Sequence, residues 1–172
     1  MAALADSLLE HVPEEVYLNS EEFEYDEYLD GVVIQKAVPH KKHGRLVVFL
    51  AALIEQSEYG GAVEVRSKLG PRHYRLPDLA VAPKKEWATG AGYPEKPYFL
   101  CIEILSSRKD FKSTVEKCHL YHVWGVPHCW IFDPEAETAW QYDSGAEVIK
   151  MTELSAGSLR LSVARIFSIF HE

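Results

Sequence analysis

Glu103 stands alone in a run that is otherwise hydrocarbon, Phe99-Leu100-Cys101-Ile102-Glu103-Ile104-Leu105. Pro97 precedes the run and Ser106-Ser107 follows it, borders that fit a strand covered on both faces. An ionised carboxylate inside such a strand costs several kcal/mol unless a cation or hydrogen-bond donors meet it. Asp78 poses the same problem in Leu76-Pro77-Asp78-Leu79-Ala80-Val81-Ala82. If the two strands are neighbours, the acids supply the paired oxygen ligands that magnesium or manganese takes alongside waters and phosphate oxygens. The backbone carbonyl of Ile104 is a candidate third oxygen. About fifteen residues separate the strands, enough for them to pair in either direction.

The rest of the chain reads as one α/β domain. Ala2 to His11 is a short helical candidate closed by Pro13. Glu21 to Leu29 is acidic and leads through the Asp30-Gly31 turn into a strand from Val32 to Val38, an early hairpin. Leu46, Val47, Leu50, Leu53 and Ile54 recur at helical spacing between His40 and Tyr59, with Gly60-Gly61 as the stop. Val63 to Leu69 alternates as a strand does, and Gly70-Pro71 turns the chain. Pro83 to Pro97 is a loop rich in Gly, Pro and Lys. Ser107 with Asp110 three residues on resembles a capping arrangement for a helix from Arg108 to Trp124. That helix places Asp110, Ser113, Lys117 and Tyr121 on one stripe. Phe111, Val115, Cys118 and His122 form an adjacent buried stripe, so Lys117 borders the core. Strands follow at His128–Phe132, Ala139–Tyr142, Glu147–Met151 and Leu159–Val163.

At 172 residues and 47% hydrophobic content the chain can bury a core of its own. No apolar stretch approaches the roughly 18 residues of a membrane span. The first ten residues lack the basic region of a secretory signal, and Cys101, Cys118 and Cys129 form no CxxC pair, so a cytoplasmic protein with reduced core thiols is expected. The net charge of -8 is unevenly placed. Residues 1–30 hold ten acids and no Lys or Arg, which leaves 16 acids against 18 bases in residues 31–172. The slightly basic body leaves a polyanion partner open, with Lys41, Lys42, Arg45, Lys68, Arg72 and Arg75 able to track phosphates. A zinc site on Cys118, His119, His122, His128 and Cys129 is the rival metal reading; it lacks the paired ends that structural zinc usually shows.

Pro77-Asp78, then Glu103, with a lysine nearby, resembles the signature of the PD-(D/E)XK (restriction-endonuclease-like) nuclease superfamily. A longer set of residues resembles the Uma2 nuclease family. It comprises Glu103-Ile104-Leu105-Ser106-Ser107, Asp110, Lys117, Tyr121, Gly125-Val126-Pro127, Trp130 and Asp133-Pro134. Upstream it adds Glu27-Tyr28-Leu29-Asp30-Gly31 and His43-Gly44-Arg45. The resemblance implies a single restriction-endonuclease-like domain over residues 21–172. Its αβββαβ core would have a mixed central sheet and extra C-terminal strands, preceded by a helical, acidic arm over residues 1–20. It implies an endonuclease that hydrolyses DNA phosphodiester bonds. Asp78 and Glu103 would bind Mg2+ or Mn2+, and Lys117 would steady water and phosphate. Leu105 stands where the superfamily's plain E-x-K pattern puts lysine; in such relatives the following helix supplies that function. Glu27 and His43 match auxiliary positions: Glu27 as a further ligand or the holder of a second metal, His43 as a group that positions water or contacts phosphate. A homodimer is also implied, since cutting two strands takes two sites. The alternative, favoured by Leu105 and the acidic first thirty residues, is a catalytically silent module on this scaffold that binds nucleic acid or a protein.

Overall fold

Leu46, Val47, Leu50 and Ile54 all turn inward, and His43 lies on the same stripe one turn earlier. They belong to helix α2 (Lys41–Ile54), the longer of two helices that cover a six-stranded sheet from below. The computed structural model describes residues 11–88, 92–106 and 110–172. In chain order its elements begin with α1 (Glu14–Asn19), β1 (Glu27–Leu29), β2 (Val32–Ile34) and α2. Then come β3 (Tyr59–Val63), β4 (Ser67–Gly70), β5 (His73–Arg75), β6 (Leu79–Pro83), α3 (Lys84–Trp87) and β7 (Leu100–Ile104). The chain continues through α4 (Phe111–Trp124), β8 (His128–Asp133), β9 (Thr138–Asp143), β10 (Ile149–Met151), β11 (Glu153–Ala156), β12 (Leu159–Ser162) and α5 (Val163–Phe167).

The six strands lie in the order β10-β9-β8-β7-β6-β3. Only β7 and β8 run parallel, joined across the upper face by α4, so the sheet is mixed. Elements α2, β3, β6, β7, α4 and β8 form the αβββαβ core, with β9 to β12 and α5 added at the C-terminal end. The β1–β2 and β4–β5 hairpins combine into a second sheet, β2-β1-β5-β4. Alternation along each strand sorts the core. Leu79, Val81, Leu100, Ile102, Ile104, Trp130 and Phe132 face α2 and α5. Ala80, Ala82, Cys101, Cys129 and Ile131 face α4.

The structure corrects several sequence expectations. Helix α2 stops at Ile54, six residues before Gly60. The glycines lie inside β3, where a Cβ on Gly60 would come 3.0 Å from Trp87 and one on Gly61 3.0 Å from Leu79. They permit close packing; they do not end a helix. The strand expected from Val63 to Leu69 is broken at Glu64, whose left-handed φ of 51° turns the chain from one sheet into the other. Beyond the turn, Arg66 is buried over the ring of Tyr17 and donates to the carbonyls of Phe23 and Glu24. Strands β5 and β11 and helix α5 were not foreseen.

Helix α4 also presents another face than expected. Its buried residues are Thr114, Lys117, Cys118 and Tyr121, while Phe111 is exposed. The helix packs over a carboxylate, not over hydrocarbon alone, and turns a lysine and a phenol inward to meet it. Asp110 caps it by accepting the Ser113 N–H at 2.6 Å. Ser107, the expected opener, and most of the Ala2–His11 segment lie outside the described residues. From the preceding segment, Tyr17 of α1 is fully buried and stacks on Tyr28 at 4.6 Å.

Candidate active site

Register brings the two acids together. Strand β6 pairs antiparallel with β7, with Leu79 opposite Ile102 as the last pair before the chain reaches Asp78. One further step sets position 78 opposite position 103; Glu103 meets Lys117 and Tyr121 of α4, and Asp78 meets His43 of α2. Pro77 has no N–H to continue the ladder. Asp78 presents a side-chain acceptor to the facing strand, Oδ2 accepting the Ile104 N–H at 2.8 Å. Strand pairing therefore ends where the carboxylates begin.

Cations converge on the same point. The Lys117 ammonium lies 3.0 Å from Glu103 Oε1, 2.6 Å from Glu27 Oε1 and 3.1 Å from the carbonyl of Leu76. Tyr121, one turn further along α4, donates its hydroxyl to Glu103 Oε1 at 2.9 Å. Burial pushes the Tyr121 phenol well up, and the Glu103 and Glu27 charges add to that, so it stays a neutral donor. Asp78 Oδ1 accepts from Lys36 at 3.0 Å, and its Oδ2 lies 3.3 Å from His43 Nε2. Lys36 also reaches Leu76 O at 3.1 Å and Glu64 at 3.3 Å. The Leu76 carbonyl thus receives two ammonium groups, which are at most about 6.2 Å apart and repel by about 3 kcal/mol at an effective dielectric near 20. Four carboxylates, among the described residues, answer that repulsion: Glu27, Glu64, Asp78 and Glu103.

All five site residues expected from the sequence meet in this cluster: Asp78 and Glu103 are at most 1% exposed, Glu27 4%, His43 7% and Lys117 9%. Glu27 departs from the acidic run around it. Its carboxylate accepts Arg75 Nη1 and the Leu76 N–H, each at 2.9 Å. Lys36, Glu64 and Tyr121 were missed as site residues. The one sequence signal for Lys36 was its place inside the stretch read as a strand from Val32 to Val38; the strand ends at Ile34, and the lysine turns to the site. Leu105 packs against the α4-side core, and Lys117 brings its ammonium to Glu103 from the helix. Of the basic residues considered for phosphate tracking, Arg75 is committed to Glu27. Lys42 reaches Glu135, Lys68 reaches Glu95, and Lys41, Arg45 and Arg72 are exposed. Among the described residues, no group of three or more His, Cys, Asp and Glu side chains is arranged to hold a metal, which counts against the zinc reading and against Glu27 or His43 as a third ligand beside Asp78 and Glu103.

Burial pushes the Glu27 carboxyl up, but Lys117, Arg75 and Lys36 outweigh it and hold it well below its ordinary 4.5. A carboxylate depressed in the folded state contributes stability that is present above the unfolded value and lost as pH falls through the folded one. Unfolding free energy is therefore expected to decline progressively below pH 4.5. Glu27→Gln should flatten that decline when urea unfolding is measured across the acid range, and an unchanged slope would refute the assignment.

Asp78 and Glu103 offer two hard oxygen donors on neighbouring strands just past the last β6–β7 pair, the number with which Mg2+ or Mn2+ is commonly held while waters complete the shell. The donor set fits such an ion.

Comparison with known proteins agrees with this architecture. The fold matches the crystal structure of a putative nuclease belonging to DUF820 from Anabaena variabilis ATCC 29413. The TM-score is 0.79 at 23% identity, over 90% of this chain and 96% of that one. No curated protein matches the chain. Among the described residues, no helix is long and apolar enough to cross a membrane. The family model for Uma2, described as "Putative restriction endonuclease", matches residues 14–169, and the chain belongs to that family.

Proposed function

We propose that the protein is a Mg2+- or Mn2+-dependent endonuclease that hydrolyses DNA phosphodiester bonds at the Asp78–Glu103 cluster. The observation that supports this reading is that Asp78 and Glu103 stand on neighbouring strands just past the last β6–β7 pair, with the helix-borne Lys117 ammonium on Glu103. Asp78 and Glu103 would hold the ion, which supplies Lewis acidity and a more acidic water when bound. Lys117 has the position of the electrostatic partner. Its ammonium, fixed by Glu27 and Leu76, stands beside Glu103, where it can orient the attacking water and meet charge developing on phosphate oxygens. Water adds to phosphorus as the bond to the leaving sugar oxygen breaks. Tyr121 and the Ile104 N–H keep the two carboxylates from turning away. A homodimer would place a second site on the opposite strand.

Incubation of supercoiled plasmid with the full chain and MgCl2 is expected to give nicked and linear products, and excess EDTA should abolish them. Cleavage that persists in EDTA would overturn the metal dependence. One observation favours a second reading, a silent module on the same scaffold: Asp78 and Glu103 each already contact an ammonium. Plasmid left intact with either metal, while the chain still retards DNA in a gel, would select it.

A further inference from the structure

We propose that Lys36 is an exchangeable counter-ion for the metal position. Its ammonium holds Asp78 while no divalent cation is bound, and moves onto Glu64 when one binds. The inference rests on the metal-dependent reading above and adds to it a device that sets metal affinity.

The two ammonium groups of the cluster are differently seated. Every partner of Lys117 given above is buried: Glu27, Glu103 and the Leu76 carbonyl. Among the described carboxylates, Lys36 meets the buried Asp78 at 3.0 Å and the partly exposed Glu64 at 3.3 Å, whose side chain is 27% exposed. The left-handed turn at Glu64 lies where the chain leaves the large sheet, and its carboxylate gives the ammonium a second seat. The backbone of Lys36 is pinned independently, its N–H donating to Asp26 at 3.2 Å, so the side chain can shift without moving the strand.

A divalent ion on Asp78 cannot share it with this ammonium at no cost. Magnesium or manganese sits about 2.1 Å from a ligating oxygen. An ion on Oδ1, the oxygen that Lys36 holds at 3.0 Å, would lie within about 5 Å of the ammonium in a buried site. Like charges so placed oppose each other, and linkage makes the opposition reciprocal: whatever the ammonium contributes at Asp78, the metal has to displace. A lysine whose role was to shape the ligand would strengthen metal binding; a resident counter-ion weakens it. The two roles predict opposite signs.

Calorimetric titration of the full chain with MnCl2 reads that sign. Lys36→Met and Lys36→Gln, the second keeping a hydrogen-bond donor, are both expected to bind Mn2+ about tenfold more tightly than the parent. Glu64→Gln should bind it less tightly, because the ammonium loses its second seat, and should have little effect once Lys36 is replaced. In EDTA the Lys36 variants should melt below the parent, and Mn2+ should raise their melting temperature by more than it raises the parent's. Affinity equal to or weaker than the parent's in both Lys36 variants, or a full Glu64→Gln effect in their background, would overturn the role of Lys36. Glu103→Gln separates the two readings. If the parent binds Mn2+ and Glu103→Gln does not, unchanged affinity in the Lys36 variants overturns this proposal alone. A parent that takes up no Mn2+ overturns the metal site along with it.

Discussion

Alanine at Asp78 or at Glu103 is expected to cut plasmid cleavage in MgCl2 by about 10³-fold or more, equivalent to about 4 kcal/mol of transition-state stabilisation. Each substitution removes one of the two carboxylates that the proposed ion would share. Asp78→Asn is the cleaner of the Asp78 variants, because an amide oxygen can still accept the Ile104 N–H that ends the β6–β7 ladder. It should retain the fold, read by circular dichroism, and lose cleavage to nearly the same degree. Cleavage at the parental rate in either the Asp78 or the Glu103 variants would remove the cluster from the chemistry.

Lys117→Met is expected to lower the unfolding free energy at pH 7 by about 3–5 kcal/mol, the usual consequence of stripping one partner from a buried ion pair. For a domain whose whole stability is on the order of 5–15 kcal/mol, that is a large fraction. Three facts make the loss severe. Glu103 is fully buried, Glu27 is nearly so, and the Leu76 carbonyl beside them loses a donor. Without the ammonium the Glu27 carboxyl loses the charge that lowers it most, so the deficit should narrow as pH falls. The parent moves the other way, losing the stability that ionised Glu27 provides below pH 4.5. Adding Glu27→Gln to Lys117→Met should recover part of the loss at neutral pH. Urea unfolding of the three proteins measures both effects, and a Lys117→Met protein as stable as the parent would show that the ion pairs contribute nothing net.

Part of this site was legible in the residues. An acid amid Leu100, Cys101, Ile102 and Ile104 has to be answered by something, and period-two alternation fixes which sheet face it occupies. Pro77 before Asp78 marks where a ladder stops. Lys117 came from helix periodicity at the border of the core and Glu27 and His43 from family resemblance; the structure puts Lys117 on Glu103 and Glu27, and His43 on Asp78. What stayed hidden has physical reasons. Hydrophobic periodicity assigned the inner face of α4 to Phe111, Val115, Cys118 and His122, because a pattern rule counts lysine and tyrosine as outward-facing. Over a buried carboxylate that rule inverts, and Lys117 and Tyr121 point in. Lys36 and Glu64 were invisible because they lie outside regular strands and reach the site through long side chains. The Gly60-Gly61 pair looked like a helix stop, whereas contacts with Trp87 and Leu79, far along the chain, explain it.

Crystals soaked in MnCl2 and measured at a wavelength where manganese scatters anomalously test the central claim most directly. The account predicts one strong peak about 2.1–2.3 Å from a carboxylate oxygen of Asp78 and another of Glu103, with the Lys117 ammonium beside it. Carboxylates that keep only their lysine partners at saturating manganese, with no peak between them, would contradict it.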